Sequence, residues 1–97
     1  MTDDLFAVEV LDYWSRRTST KLVSPKVRKA TLTRISARLA EGFGPDDLKK
    51  VVEWAMCDEF YMSKGYYKQP DVIWRNGERV QSILSRYAHA ASRPLPL

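Results

Sequence analysis

Three observations predict an all-α fold, a compact bundle of four main helices with a short extra turn before the last helix. Apolar residues recur at three- and four-residue spacings along most of the chain. Two helix-start signals, Ser24-Pro25 and Gly44-Pro45, place proline just after a capping residue. No stretch keeps an apolar–polar alternation with β-branched enrichment, so no strand is predicted.

The first helix is expected from about Asp3 to Arg17. Leu5, Phe6, Val8, Val10, Leu11, Tyr13 and Trp14 form its apolar side, and Asp3-Asp4 suit the positive end of its dipole. Thr18-Ser19-Thr20 ends it. A second helix runs from Ser24-Pro25 to Ala40 with Val27, Leu32, Ile35 and Leu39 near one face. Gly42 is its left-handed cap and Phe43 the hydrophobic contact that folds back. Gly44-Pro45-Asp46-Asp47 opens the third helix, whose stripe is Leu48, Val51, Val52, Trp54 and Ala55, with Lys49, Lys50 and Glu53 on the wet face. Tyr61 to Pro70 reads as a loop of tyrosines and lysines around Gly65. Asp71 to Trp74 can form one helical turn, and a last helix from about Asn76 to Ala90 buries Val80, Ile83, Leu84 and Tyr87. Residues 1–91 thus make a single helical domain, and 92–97, with Pro94 and Pro96, a frayed tail.

Composition narrows the function classes. Of the 97 residues, 44% are hydrophobic and 29% charged, which describes an ordinary globular chain rather than a disordered one. No apolar run approaches the roughly 20 residues that span a bilayer. The acidic start, Met1-Thr2-Asp3-Asp4, does not read as a secretory signal, so a cytoplasmic location is expected. Cys57 is the only cysteine and His89 the only histidine, which excludes an internal disulfide and a Cys/His metal cluster within one chain. No metal and no cofactor are expected.

The most informative stretch is Ser15 to Ala40. It carries Arg16, Arg17, Lys21, Lys26, Arg28, Lys29, Arg34 and Arg38 and no carboxylate, so a formal charge of +8 stands against −4 in the rest of the chain. A face that served solubility alone would intersperse signs. A one-sided basic patch is the footprint of a polyanion, most often nucleic acid, and phosphates need positive charge without base readout. An acidic protein surface is the alternative partner.

Tyr61, Tyr66 and Tyr67, interleaved with Lys64 and Lys68, have the composition of a stacking platform for unpaired bases. The competing reading packs two of the three rings on the core, with Tyr66 beside Gly65 the exposed one. Trp14, Trp54 and Trp74 are expected in the core of so small a domain.

Enzyme readings are poor. Asp46-Asp47 and Asp58-Glu59 are sequence neighbours that point apart on a helix. His89 suits a helix C-terminus at the surface, and Cys57 is expected as a buried structural thiol. No glycine-rich phosphate loop occurs, so no catalytic residue is assigned.

Three motifs together carry a family resemblance. Val10-Leu11-Asp12-Tyr13-Trp14 followed by Thr18 is the first, and Arg38-Leu39-Ala40-Glu41-Gly42-Phe43 running into Asp46-Asp47-Leu48-Lys49-Lys50-Val51-Val52 is the second. The third is Tyr67-Lys68-Gln69-Pro70-Asp71-Val72-Ile73-Trp74-Arg75. From about Val8 to Tyr87 the chain resembles the conserved C-terminal domain of phage replisome-organiser proteins. The resemblance implies a helical domain of phage or prophage origin, acting in a bacterial host cell, that helps start DNA replication. In that family the domain usually follows a winged-helix module that binds the origin. No such module precedes it within these residues, so origin recognition is not assigned.

The combined expectation is a domain that binds DNA, single-stranded in preference and without sequence specificity, and helps recruit or load the replicative helicase. Arg28, Lys29, Arg34 and Arg38 would neutralise phosphates, Tyr66 and Tyr67 would stack on bases, and Lys64 and Lys68 would steer the strand. Trp74 and Arg75, at the family's proline-to-aromatic motif, would meet the helicase or its loader. The double variant Arg34→Glu/Arg38→Glu is expected to abolish binding with helicity intact. The rival expectation is a small phage module that binds and redirects or inhibits a host helicase, loader or defence nuclease through the same basic face. An apolar patch of Leu5, Phe6 and Trp74 would serve it, and self-association through the first helix is a third option.

Overall fold

The computed structural model describes residues 2–92, and side chains from residue 5 to 88. All regular structure among them is helical: α1 Thr2–Thr18, α2 Pro25–Ala40, α3 Pro45–Cys57, α4 Glu59–Lys64, a 3₁₀ turn Tyr66–Lys68, α5 Pro70–Ile73 and α6 Gly77–Ser92. The all-α bundle with four long helices stands, with more structure before the last helix than one extra turn. No helix among the described residues is long and apolar enough to cross a membrane. The expected tail lies, from residue 93 on, outside the described residues; Ser92 still belongs to α6.

Local chemistry sets the boundaries. Ser19 takes a left-handed φ of 54° after α1, in a segment where the Thr20 N–H returns to the Ser15 carbonyl. Ser24 caps α2 by accepting from the Val27 N–H, and Pro25 fills the first position. At the other end the Gly42 N–H donates to the Leu39 carbonyl and the Phe43 N–H to that of Arg38, with Gly42 at φ +108°. That is a Schellman motif, and glycine is the residue that adopts it without strain. The Asp47 carboxylate accepts the Gly44 N–H at 2.9 Å and holds the start of α3.

The predicted loop from Tyr61 to Pro70 is corrected: it contains the greater part of α4, the 3₁₀ turn and the first residue of α5. Asp58 caps α4 through the Tyr61 N–H, and Gly65, at φ +73°, closes it. These elements are too short for a 3.6-residue period to declare itself, so capping residues are the only local signal.

The core gathers Ala7, Val10, Leu11 and Trp14 from α1, Leu48, Val51, Val52 and Ala55 from α3, and Val80 and Ile83 from α6. Ile35, Tyr61, Ile73 and Trp74 complete it. Both buried indoles find acceptors in other elements: Trp14 Nε1 donates to the Tyr67 carbonyl at 2.9 Å, and Trp74 Nε1 to that of Leu48 at 3.3 Å. These bonds meet the need of a buried N–H and pin the short helices to the long ones.

Polar ties hold α1 to α3. The Glu53 carboxylate accepts two hydrogen bonds from Arg17, at 2.6 and 2.8 Å, and one from the Tyr13 hydroxyl at 2.6 Å. Lys49 pairs with Glu9 at 2.7 Å. Lys49 and Glu53, expected as solvated residues, therefore bridge helices. Cys57, expected as a buried thiol, is exposed, since it is the last residue of α3. His89 lies within α6, but its side chain lies outside the described ones.

Candidate nucleic-acid interface

α2 divides into two halves. Every residue from Val23 to Ala30 is exposed, and burial begins at Thr31 and continues through Ile35 and Arg38. The buried face is thus centred on these three, whereas Val27, expected to be covered, is 49% exposed. The Thr31 hydroxyl tolerates its buried position because it donates to the Val27 carbonyl four residues back.

The exposed half carries Lys26, Arg28 and Lys29, and Arg34 follows, half-buried, in the second half. Arg28 borders a groove toward α1 that also takes in Leu11, Asp12, Trp14 and Lys21. Arg34 borders another toward α5, with Val27, Ala30, Thr31, Pro70 and Asp71. Lys26 and Lys29 are exposed on α2 between the positions of Pro25 and Ala30. Ion pairs among the described residues are Arg17–Glu53, Arg38–Glu41 and Lys49–Glu9. Arg16, Lys21, Lys26, Arg28, Lys29 and Arg34 therefore have no carboxylate within 4.0 Å among them, although Asp12 and Asp71 stand at the groove edges. Arg34 does donate to the Arg75 carbonyl, at 3.4 Å, which steadies its guanidinium beside α5.

Arg38 is a correction. It is 9% exposed, donates to the Glu41 carboxylate at 2.8 Å and to the Trp74 carbonyl at 3.5 Å, and its Nε has no partner among the described residues. A guanidinium in that position ties the end of α2 to the turn before α6; it is not offered to a phosphate. The variant Arg34→Glu/Arg38→Glu would for that reason confound binding with folding. Trp74 is corrected too: it is fully buried, so neither a helicase nor a patch with Leu5 and Phe6 can use it. Its neighbour Arg75 is exposed.

The tyrosines split as well. Tyr61 is buried, edge-on to Trp54 at 4.9 Å, and its hydroxyl accepts from Arg79. Tyr66, expected as the exposed ring, is half-buried and packs edge-on against Phe60 at 5.7 Å and Tyr61 at 5.6 Å. Tyr67 is half-buried, with the Lys68 ammonium 5.5 Å from its ring centre. Lys64 and Lys68 are both exposed, and Lys64 lies 5.9 Å from the Phe60 ring centre.

Phe60, 55% exposed, and Met62, two residues on, are exposed apolar residues that periodicity does not single out. Met62 lies in the stretch expected as a loop and Phe60 just before it, and the signal that marks both as helical is the Asp58 cap with Gly65. Val23, just before the Ser24 cap of α2, is 85% exposed. No family model, no curated protein and no solved structure matches this chain.

Proposed function

We propose that the chain is a DNA-binding domain whose ligand contacts run through the phosphate backbone, with α2 and the turn before it as the interface. One observation carries this reading: Lys21, Lys26, Arg28, Lys29 and Arg34, on α2 or in the turn before it, have no ion-pair partner among the described residues. Within Ser15 to Ala40, Arg17 and Arg38 are each spent on a carboxylate, and cations outside it that lack an ion pair, such as Lys50, Lys64 and Lys68, stand among acidic neighbours in the sequence rather than in a carboxylate-free stretch. Unpaired cations clustered in a carboxylate-free segment are what counterion release requires. Arg28, Lys29 and Arg34 keep the role the sequence suggests, joined by Lys21 and Lys26, and Arg38 leaves the set. The three motifs resembling the replisome-organiser domain support a place in phage or prophage replication, bringing the replicative helicase to DNA.

The test is fluorescence anisotropy of the whole chain with labelled oligonucleotides at 50 and 200 mM salt. Five phosphate contacts predict a fall in affinity of about three orders of magnitude over that range. Binding that ignores salt, or no binding at tens of micromolar protein, would overturn the reading.

The second reading is a protein-interaction module that redirects a host complex. The α4 surface favours it: exposed Phe60 and Met62 lie beside Glu59 and Lys64, an apolar centre with a rim of both signs, which suits a protein better than a polyanion. Phe60→Ala separates the two, because it would weaken capture of a protein partner and leave the salt-dependent DNA term intact.

A further inference from the structure

The crevice between α2 and α5 holds two opposite charges that do not meet. Val27, Ala30, Thr31 and Arg34 line it from α2, and Pro70 and Asp71 from α5. Asp71 is exposed and Arg34 half-buried, yet no ion pair within 4.0 Å joins them. One Arg34 nitrogen donates to the Arg75 carbonyl at 3.4 Å. That bond holds the guanidinium toward the turn after α5 and leaves it further N–H groups to give. A carboxylate at the edge of a cationic face opposes phosphates, since it can only accept. It serves a ligand that brings N–H groups of its own.

The rest of the lining is apolar or already satisfied. Val27 is 49% exposed, Ala30 is exposed, Pro70 is buried, and the buried Thr31 hydroxyl is given to the Val27 carbonyl. The crevice encloses about 260 Å³, short of the roughly 300–1,000 Å³ that surrounds a whole drug-sized ligand. It suits one flat group with apolar faces and polar edges. An unpaired nucleobase is such a group, and Lys26, Arg28 and Lys29, exposed on the first turns of α2, would carry its backbone. Tyr66 is occupied by edge-on contacts with Phe60 and Tyr61, so the crevice offers the seat that this ring does not. Guanine alone among the bases sets two donors side by side on its Watson–Crick edge, N1–H and the 2-amino group, which one carboxylate can accept together. Its O6 and N7 are acceptors suited to an arginine. The two protein groups then stand apart along one base, as Arg34 and Asp71 stand unpaired in the crevice.

We infer that the α2–α5 crevice is a subsite for an unpaired guanine of single-stranded DNA, with Asp71 on N1–H and the 2-amino group and Arg34 on O6. This rests on the DNA-binding reading above and gives it a base preference; the Arg34 charge still counts in the salt dependence. Fluorescence anisotropy of the whole chain tests it with labelled single strands: all thymine, thymine with spaced guanines, and the same strand with inosine, which lacks the 2-amino group, for guanine. The guanine strand is expected to bind about fivefold or more tighter than either of the others. Pairing the strands with their complements should erase the difference between guanine and inosine. Asp71→Asn should abolish the guanine preference while overall affinity holds or rises, because a charge that opposes phosphate is gone. A residue that served only the start of α5 would not act base by base. Equal affinity for guanine and inosine strands, or an Asp71→Asn chain that keeps the preference, overturns the subsite and leaves the DNA-binding reading standing. Absence of any DNA binding overturns both.

Discussion

The two halves of α2 carry the same kind of side chain and use it for opposite ends. In the first half Lys26, Arg28 and Lys29 are exposed with no carboxylate within 4.0 Å among the described residues. In the last turn Arg38 is buried, salt-bridged to Glu41 and hydrogen-bonded to the Trp74 carbonyl. A cation held by its own fold has already given up its water and found its partner. A cation left in solvent has its charge still available to a ligand. Charge in a sequence therefore identifies a site only after the cations the fold consumes have been subtracted.

The largest effect expected from breaking this contrast is at Arg38. Removing the guanidinium in Arg38→Ala strands the Trp74 carbonyl and frees Glu41, and should cost about 2 kcal/mol of stability in urea denaturation. Next comes Gly77, where an added Cβ would stand 2.6 Å from a Glu41 carboxylate oxygen. Gly77→Ala must shift the end of that half-exposed side chain, and any weakening of its pair with Arg38 should cost no more than about 1 kcal/mol. In a Glu41→Ala background the same substitution should be neutral or better, which a double-mutant cycle reads directly.

A third, smaller effect lies on the α1–α3 tie. Hydrogen bonds from Arg17 hold the Glu53 carboxyl below the usual carboxylate range against the opposing effect of burial, and the Tyr13 hydroxyl assists. Because the folded-state value is the lower one, this stabilisation is complete above the ordinary carboxylate range and is lost as pH falls through the lowered value. Glu53→Gln should flatten that part of the stability–pH curve, and a curve unchanged by the substitution would contradict the tie. At the alkaline end burial first, then Glu53, pushes the Tyr13 phenol above its ordinary value, so the stability it lends declines as pH rises beyond that value. Smallest of all are Lys26→Ala and Lys29→Ala, each expected within about 0.5 kcal/mol of the parent in the same denaturation experiment.

Much of the fold was legible because the long helices announce themselves twice, by period and by caps. Ser24-Pro25 marks the start of α2, and Gly42-Phe43 its end. What failed was local or relational. α4 and the 3₁₀ turn are shorter than the period needed to detect them. The burial of Arg38 depends on the Trp74 carbonyl, 36 residues away, which no window over α2 contains. The exposure of Val27 reverses the expectation drawn from its apolar spacing, because it lies at the open edge of the groove toward α5 rather than in the core. The carboxylate-free segment was visible at once, while its division into held and free cations required the tertiary structure.

The most direct test compares Lys29→Glu with Arg38→Ala, measuring DNA affinity and unfolding free energy on both. The account predicts that Lys29→Glu loses affinity with stability unchanged, and that Arg38→Ala, at a temperature where it stays folded, loses stability with affinity nearly unchanged. A folded Arg38→Ala that no longer binds, beside a Lys29→Glu that binds as before, would contradict it.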